Sequence, residues 1–412
     1  MEEEKIIIIA VRKPEQLVER FESSLEEIIS LSNTAGGKVE GVITQNRNRI
    51  HPATYIGEGK LEEIKREIEE KDIDLVISND ELSSGQLRNL NNYLGIPIID
   101  RSQLILDIFA QRAQTKEGKL QVELAQLEYL LPRLRGQGIA LSRLGGGIGT
   151  RGPGETKLET DRRHIQRRIV DIKRRLEQVV KQREQYRKRR RENDTFQIAI
   201  VGYTNAGKST LFNRLTDSDT LEEDKLFATL DPLTRKIELP SGFKALITDT
   251  VGFLQDLPTS LIAAFRSTLE EVTEADFLLH VIDASHIDYE KHIETVGELL
   301  DDLDANNLPM LYVYNKKDLL ENDFLPLHHP YILSSAYETE DIQHLLEKIE
   351  EILMKQWTPF QVALETDAGK VMSQLGREAI ITEKRFDEQE NLYHIKGYIQ
   401  ENHSLNKILK EQ

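Results

Sequence analysis

Residues 202–209 read Gly-Tyr-Thr-Asn-Ala-Gly-Lys-Ser, and this motif constrains the fold more than any other feature of the chain. A β-branched, apolar run, Phe196–Val201, precedes it, and a helical pattern, Lys208–Leu215, follows. Gly-x4-Gly-Lys-Ser between a strand and a helix is typical of a phosphate-binding loop, whose backbone amides surround a β-phosphate while the lysine bridges β and γ oxygens. Strand and helix patterns alternate again after the loop, which predicts a doubly wound sheet.

Three shorter motifs follow the loop in the order expected of a guanine-nucleotide site. Asp249–Gly252 ends an apolar run, where the carboxylate can reach Mg²⁺ through water and the glycine amide can meet a γ-phosphate. In Asn315–Asp318, Asp318 can accept two hydrogen bonds from the N1 and N2 edge that guanine has and adenine lacks, while Asn315 would brace the loop. A backbone amide of Ser335–Ala336 can meet the guanine carbonyl. These motifs predict GTP and GDP as ligands.

A magnesium ion is the cofactor that these motifs require. Ser209 is positioned to ligate it, Asp249 would reach it through water, and a further ligand must come from the connection after the first helix. Thr229, within Phe227–Pro232, is our candidate, and Thr234, at the start of the next strand, is its competitor. This loop should order with GTP and relax after hydrolysis. The predicted catalytic residues are Lys208, Thr229 and Gly252; the predicted nucleotide contacts are Gly202, Tyr203, Thr204, Asn205, Ala206, Gly207, Lys208, Ser209, Thr210, Phe227, Thr229, Asp249, Gly252, Asn315, Lys316, Asp318, Ser335 and Ala336.

The residue after Gly252 is Phe253, where many GTPases place a glutamine that orients the attacking water. Another group must then organise the water, so unstimulated turnover is expected to be slow. Asn205 offers one compensation, because an asparagine here can help to hold K⁺ against the phosphates. An asparagine that only braces the loop explains the residue equally well, and equal hydrolysis rates in potassium and sodium salts would favour that alternative.

The charge of the chain is strongly asymmetric. The formal net charge is −17, yet the stretch from Pro132 to Arg191 has 19 Lys and Arg against six Asp and Glu and so carries +13. Two helical patterns, Ser102–Leu131 and Leu158–Arg191, enclose the loop 136–154, which has eight glycines in 19 residues. We predict a long helical hairpin whose tip probes a flat or phosphorylated surface; a solvated helix face with a flexible linker is the alternative. The predicted RNA contacts are Arg135, Arg143, Arg151, Arg162 and Arg163.

The two ends of the chain have simpler patterns. Residues 1–101 alternate β-branched runs with helical patterns, which predicts a small α/β domain with a mainly parallel sheet. Gly57–Lys60 there opens a helix in a way that suits an anion, although a plain strand–turn–helix explains it better. We therefore predict an α/β protein with four domains: 1–101 (α/β), 102–193 (helical hairpin), 194–356 (P-loop GTPase) and 357–412 (a small C-terminal α/β appendage of helix plus strand).

The absence of cysteine among the 412 residues excludes disulfides and thiolate metal sites and favours a reducing cytoplasm. The apolar run Ile6–Val11 is too short for export, and no segment approaches the roughly 20 apolar residues of a membrane helix. We expect a cytoplasmic monomer without stable membrane insertion, and leave peripheral association with membranes or ribosomes open.

The segment Gly145–Arg163 resembles very closely the signature of the HflX GTPases, and Tyr55–Lys60, Phe227–Pro232 and Asp249–Phe253 match the same family. The resemblance spans roughly residues 1 to 356. It implies a GTPase that binds the 50S ribosomal subunit and its 23S rRNA, with the hairpin loop reaching toward the peptidyl transferase centre. It implies splitting or rescue of stalled and hibernating ribosomes, notably under heat stress, with slow turnover that ribosomes stimulate. Some members are also reported to bind ATP through the amino-terminal domain, for which Gly57–Lys60 is the only support in this chain.

The leading hypothesis is thus an enzyme, a translational GTPase that acts on ribosomes. In a first alternative, nucleotide only gates rRNA affinity, and the hairpin is a wedge that prevents subunit association. A second alternative is an ATP-dependent RNA remodeller that uses the amino-terminal domain. A signalling GTPase ranks lowest because it leaves the basic hairpin unexplained.

Overall fold

The computed structural model describes residues 3–134, 157–192, 195–216, 227, 229–254, 269, 271–320 and 324–401, together with 403, 405, 406 and 409. Two compact units share these residues. The first contains the described residues up to 181 and also 227 and 229–231; the second contains the rest. The candidate magnesium ligand Thr229 therefore lies in the first unit, although the phosphate-binding loop lies in the second.

The amino-terminal part of the first unit is a parallel sheet flanked by helices. Its elements are β1 (Glu4–Arg12), α1 (Val18–Thr34), β2 (Gly37–Asn46), α2 (Glu58–Lys71), β3 (Leu75–Ser78), α3 (Ser84–Leu94) and β4 (Ile98–Asp100). The strand order is β2-β1-β3-β4, with all neighbours parallel. Ile6–Ala10 are at most 2% exposed, because a central strand covered on both faces must be apolar throughout. The predicted α/β fold with a mainly parallel sheet is confirmed.

The helical hairpin differs from the prediction at one point. A single helix over Ser102–Leu131 is wrong: the structure has α4 (Arg101–Arg112) and α5 (Lys116–Arg133). The chain is extended at Ala113, and the Thr115 side chain caps α5 by accepting a hydrogen bond from the Gly118 amide, at 2.9 Å.

The second arm of the hairpin is α6 (Lys157–Glu192), close to its predicted bounds. Leu120 and Leu124 of α5 pack against Ile169 and Ile172 of α6, which form the narrow apolar seam of the hairpin. The predicted tip loop 136–154 and three of the predicted RNA contacts lie outside the described residues, namely Arg135, Arg143 and Arg151.

The second unit contains the predicted doubly wound sheet. Its elements are β5 (Gln197–Gly202), α7 (Lys208–Thr216), β6 (Leu233–Glu238), β7 (Lys244–Asp249), β8 (Phe277–Asp283), α8 (Tyr289–Asp302), β9 (Met310–Asn315), β10 (Tyr331–Leu333) and α9 (Thr339–Gln356). The strand order is β10-β9-β8-β5-β7-β6, and only the edge strand β6 is antiparallel to its neighbour. The sequence also has a helical pattern over Thr259–Thr273, which falls almost entirely outside the described residues.

A small antiparallel sheet completes the second unit. It consists of β11 (Thr358–Glu365), β12 (Ile380–Asp387) and β13 (Leu392–Ile399) in the order β11-β13-β12, with helix α10 (Gly369–Glu378). The sequence predicted α10 and β13 but missed β11 and β12. Trp357 and Ile380 belong to the core of the large sheet, so the appendage shares that core. In the described part of the chain, no helix has an apolar stretch that could cross a bilayer.

Candidate nucleotide-binding site

The loop between β5 and α7 needs glycine at two positions. A Cβ on Gly202 would lie 2.2 Å from the Val281 carbonyl oxygen, and a Cβ on Gly207 would lie 2.2 Å from Asn315 Nδ2. Gly207 also has a φ of 90°, in the region that side chains disfavour. Between them, exposed Asn205 has a φ of 60°. This backbone turns sharply enough to direct amides toward a bound phosphate at the amino terminus of α7.

Lys208 is buried at the base of this loop, and its Nζ donates to the Tyr203 carbonyl oxygen at 2.7 Å. Burial lowers the pKa of Lys208 to about 8, although the nearby Asp249 carboxylate opposes the shift. The Ser209 hydroxyl donates to Asp249 Oδ2 at 2.9 Å. A hydroxyl and a carboxylate that converge in this way offer the hard oxygen ligands that Mg²⁺ prefers, so the residues fit the ion.

The Asp249–Phe253 segment lies directly against the phosphate-binding loop. The Thr204 amide donates to the Phe253 carbonyl at 2.8 Å, and the Phe253 amide donates to the Gly202 carbonyl at 3.2 Å. A Cβ on Gly252 would lie 2.8 Å from Thr204 Cγ2 and 3.0 Å from Thr204 Cα, so this close approach of the two loops requires glycine. The Phe253 side chain is 2% exposed and has no group that could orient a water.

Asn315 joins the phosphate-binding loop to the predicted guanine loops. Its Nδ2 donates to the Ala206 carbonyl at 2.9 Å, and its Oδ1 accepts from the Ala336 amide at 3.0 Å. One side chain therefore bonds to two of the predicted motifs. The Asp318 side chain, in contrast, is exposed, at the centre of a short 3₁₀ turn, Lys317–Leu319.

Three partner residues of this site were not predicted. Asp283 pairs with Lys316 Nζ at 2.7 Å, at the carboxyl end of β8. Asp341 accepts from Lys317 Nζ at 2.6 Å and from the Ser335 amide at 2.7 Å, so it connects both guanine loops. His292 of α8 stacks on the Tyr203 ring at 3.8 Å. Asp283 could have been predicted, because it is an acidic residue at the carboxyl end of a strand. No sequence pattern marks His292.

The His292 ring is half-buried between the Tyr203 ring and the ring of His286. Burial, followed by the adjacent His286, lowers the pKa of His292 to about 4. The imidazole is therefore neutral at physiological pH, and it supports the Tyr203 ring by packing.

The structure places the two other predicted contacts, Phe227 and Thr229, in the first unit. Phe227 is 2% exposed, with its ring centroid 4.5 Å from that of Phe109. Thr234, the competitor of Thr229, is in β6, where its hydroxyl lies 2.9 Å from that of Thr248. A side chain bonded within the sheet is poorly placed to follow the nucleotide state, which leaves Thr229 as the candidate.

Two predicted sites lie elsewhere in the first unit. Arg162 is half-buried and Arg163 exposed on α6. At the Gly57–Lys60 turn, the Gly57 amide donates to Gln45 Oε1 at 2.9 Å and Lys60 pairs with Glu63 at 2.8 Å. These bonds favour the plain strand–turn–helix, and ATP binding there stays a prediction.

Three family models match consecutive parts of this chain. The family described as GTP-binding GTPase N-terminal matches residues 22–110, GTP-binding GTPase Middle Region matches 112–190, and 50S ribosome-binding GTPase matches 197–316. The three matches follow one another along the chain in an order that agrees with the fold.

Individual relatives cover most of the chain. GTPase HflX of Alkalihalophilus pseudofirmus is 56% identical over 96% of this chain and 93% of its own length. GTPase HflX of Escherichia coli is 50% identical over 73% of this chain and 71% of its own length. Among solved structures, SsGBP in complex with GDP is similar over 85% of this chain and 98% of that chain, with a TM-score of 0.50 and 26% identity.

Proposed function

Since this chain belongs to the HflX family of GTP-hydrolysing enzymes, we propose that it binds the large ribosomal subunit and uses its GTPase cycle to split or rescue stalled and hibernating ribosomes, notably under stress. The main support for this proposal is the concentration of positive charge between Pro132 and Arg191. A stretch with +13 lies in a chain of −17, and most of its described part is the long helix α6. Phosphate contacts dominate binding to nucleic acid, so a basic hairpin on an acidic protein fits rRNA.

In this proposal the nucleotide is held by the residues that converge in the second unit. The backbone of Gly202–Ser209 and the Lys208 ammonium bind the phosphates, and Asp318 selects guanine. When bound, Mg²⁺ neutralises charge between the β- and γ-phosphates. Ser209 would hold the ion directly, Asp249 would hold it through water, and Thr229 is the candidate for a further ligand that arrives with GTP.

Slow turnover without a ribosome follows from the position of Phe253. Because its buried side chain offers no hydrogen bond to water, the group that orients the attacking water must come with the ribosome or from another part of the chain. Exposed Asn205 is the residue that would hold K⁺ beside the phosphates. Hydrolysis that is faster in potassium than in sodium salt would support this role.

A GTPase assay with and without purified 50S subunits tests the proposal. We expect stimulation by 50S that weakens steeply with salt, since six to ten phosphate contacts lose about 10³–10⁵ in affinity between 50 and 200 mM salt. No stimulation at any salt concentration would remove the ribosome from the function and leave the nucleotide site intact. In a parallel splitting assay, full activity of Lys208→Ala without hydrolysis would show instead that the hairpin acts as a wedge.

A further inference from the structure

The hydroxyl of Thr204 is buried in the middle of the phosphate-binding loop. Thr204 is 6% exposed, and its Oγ1 has no hydrogen-bond partner among the residues that the structure describes. The two other threonines buried in the described part of the second unit have partners. The Thr250 hydroxyl donates to the Ile200 carbonyl at 2.6 Å, and the Thr248 hydroxyl lies 2.9 Å from that of Thr234. A buried hydroxyl costs free energy unless it is hydrogen-bonded, so Thr204 fits a site whose partner arrives with the substrate.

The backbone of Thr204 is held against the segment that ends at Phe253. The Thr204 amide donates to the Phe253 carbonyl at 2.8 Å, and the Phe253 amide donates to the Gly202 carbonyl at 3.2 Å. Threonine is β-branched, so its χ1 angle has few alternatives on a fixed backbone. The fold therefore fixes the position of the hydroxyl before nucleotide binds, as is required of a group that acts on a transition state.

Thr204 lies beside the two groups that we expect to hold the γ-phosphate. A Cβ on Gly252 would be 2.8 Å from Thr204 Cγ2 and 2.9 Å from Lys208 Nζ. The side chains of Thr204 and Lys208 thus both approach Gly252, whose amide is the predicted γ-phosphate contact. All three residues belong to the second unit. The Thr204 hydroxyl is therefore near the phosphoryl group that is transferred to water.

This hydroxyl has the hydrogen-bonding capacity that Phe253 lacks. Phe253 occupies the position where many GTPases have a glutamine, and its buried side chain cannot orient a water. A threonine hydroxyl can donate one hydrogen bond and accept two. It can therefore donate to an oxygen of the γ-phosphate and, at the same time, accept from the water that attacks the phosphorus.

We propose that Thr204 is a catalytic residue of GTP hydrolysis: its hydroxyl donates to a γ-phosphate oxygen and orients the attacking water, the task of glutamine in other GTPases. The water oxygen bonds to the γ-phosphorus, and the bond from that phosphorus to the β–γ bridging oxygen breaks, leaving its electron pair on GDP. Both hydrogens of the water leave with the product as dihydrogen phosphate, and Thr204 keeps its own proton. The inference rests on the proposed binding of the γ-phosphate between Lys208 and Gly252.

Thr204→Val tests the proposal, because it removes the hydroxyl and keeps the branched shape of the side chain. Single-turnover hydrolysis, with the enzyme in excess over GTP and with saturating Mg²⁺, measures the chemical step without GDP release. The rate should fall about 10²-fold, the lower end of the cost of removing one preorganised hydrogen-bond donor. The affinity for GDP should be unchanged, and that for a non-hydrolysable GTP analogue should fall far less than the rate. An unchanged rate would overturn the inference.

Thr204→Ser is the conservative variant that should rescue the rate. It retains the hydroxyl and loses only the methyl group, so most of the parent rate should remain. A serine variant as slow as the valine variant would show that the branched shape is needed and the hydroxyl is not, which contradicts the catalytic role.

Thermal stability distinguishes a catalytic hydroxyl from a structural one. In the nucleotide-free protein, Thr204→Val replaces a buried hydroxyl without a described partner by a methyl group, so the midpoint of unfolding should stay the same or rise. A structural hydroxyl gives the opposite result. A lower midpoint with a parallel loss of GDP affinity would assign the hydroxyl to the fold and reject the inference.

The matched control is Thr295→Val on α8. The Thr295 hydroxyl donates to the Lys291 carbonyl at 2.9 Å within the helix, and Thr295 is not a predicted nucleotide contact. The same chemical change should here leave both the rate and the GDP affinity unchanged. A comparable loss of rate in this variant would reduce the Thr204 effect to a general disturbance of the domain and overturn the proposal.

Lys208→Ala tests the premise separately. If this variant binds and hydrolyses GTP like the parent protein, the phosphates bind elsewhere, and the proposed site falls together with the inference. If Lys208→Ala is inactive and Thr204→Val is fully active, only the role of Thr204 is lost. None of these measurements involves the ribosome, so stimulation by 50S subunits is judged separately.

Discussion

In the proposed site, guanine is selected by the exposed carboxylate of Asp318, whose turn is held in place by its neighbours. Asp318 has bonded lysines on its amino-terminal side: Lys316 pairs with Asp283 at 2.7 Å and Lys317 with Asp341 at 2.6 Å. These pairs connect the turn to two other loops, so its backbone is determined before nucleotide binds. A site pre-organised in this way can use the full energy of two hydrogen bonds to discriminate between bases.

Replacing the Asp318 carboxylate by an amide should shift the preference of the site from guanine toward xanthine. Asp318→Asn can accept only one of the two bonds from guanine and directs an NH₂ at the second donor, so GTP affinity should fall by about 10²-fold. Xanthine has a carbonyl in place of the amino group, and its triphosphate should bind the variant better than the parent. Competition assays with both nucleotides measure the exchange. Asp302→Asn, an exposed change on α8, should alter neither affinity, and a similar loss there would contradict the assignment.

Protonation of Lys208 should be linked to nucleotide binding. Its pKa is lowered to about 8 by burial, whereas phosphate oxygens around the ammonium would raise it in the complex. Binding must then take up a proton wherever the free lysine has lost one: about half a proton at pH 8 and nearly one at pH 9, with affinity falling as pH rises. Calorimetry in buffers of different ionisation enthalpy measures this uptake. Lys208→Arg, which stays charged, should abolish it; equal uptake in both proteins would assign the proton to another group.

The end of helix α5 is attached to the amino-terminal sheet by one arginine. Arg133 Nη2 donates to Glu81 at 2.9 Å, to the Leu82 carbonyl at 3.1 Å and to Asp100 at 3.3 Å. Its guanidinium also lies 3.4 Å from the ring centroid of Tyr129. Asp100 is completely buried, so the arginine compensates a charge that water cannot reach. This network fixes the point at which the chain leaves the sheet for the hairpin tip.

Arg133→Met should therefore destabilise the protein far more than loss of an exposed pair. Removing one partner of a buried ion pair leaves the other charge uncompensated, which costs roughly 3 kcal/mol of the free energy of unfolding. The control is Arg168→Met, which breaks the ion pair with Glu123 between α5 and α6. Arg168 Nε and Glu123 Oε1 are 2.6 Å apart, and both side chains are more than a third exposed. Such a pair contributes about 0.2–1 kcal/mol. Equal costs in urea unfolding would contradict this interpretation.

The same helices show what a sequence can and cannot predict. The phosphate-binding loop, the buried strand β1 and the seam of α6 follow from local spacing, and their bounds were close. The break before α5 was missed although Thr115 is a residue type typical of a helix N-cap. The Asp231 carboxylate that also bonds to Thr115 is 116 residues away and gives no local signal. Strand β12 was missed since it carries mainly exposed polar residues. Strand β11 was missed although Val362 and Leu364 are buried in alternation with exposed neighbours, a signal that could have been used. In the site, motif residues were predicted but their partners Asp283 and Asp341 were not, because those contacts exist only after folding.

At the scale of the whole molecule, the separation of charge assigns different tasks to different parts of the chain. A net charge of −17 opposes association with RNA, so the proposed binding to the ribosome must depend on the local field of the hairpin, which falls off within about 8 Å at physiological salt. Basic residues on α6 should then contribute to ribosome affinity individually. Equally exposed basic residues on the amino-terminal helices should contribute little.

Removing two charges from each surface tests this division. Arg163→Gln with Arg167→Gln changes exposed residues of α6; Lys65→Gln with Arg66→Gln makes the same change of charge on α2. Log affinity falls as log salt concentration rises, and each lost phosphate contact makes this fall less steep by about one. The double substitution on α6 should therefore make it less steep by about two and weaken 50S binding. The α2 pair should leave both unchanged, and basal GTP hydrolysis should be unaffected in either variant, because neither surface belongs to the nucleotide site. Equal losses from the two surfaces would mean that net charge, rather than the hairpin, determines association.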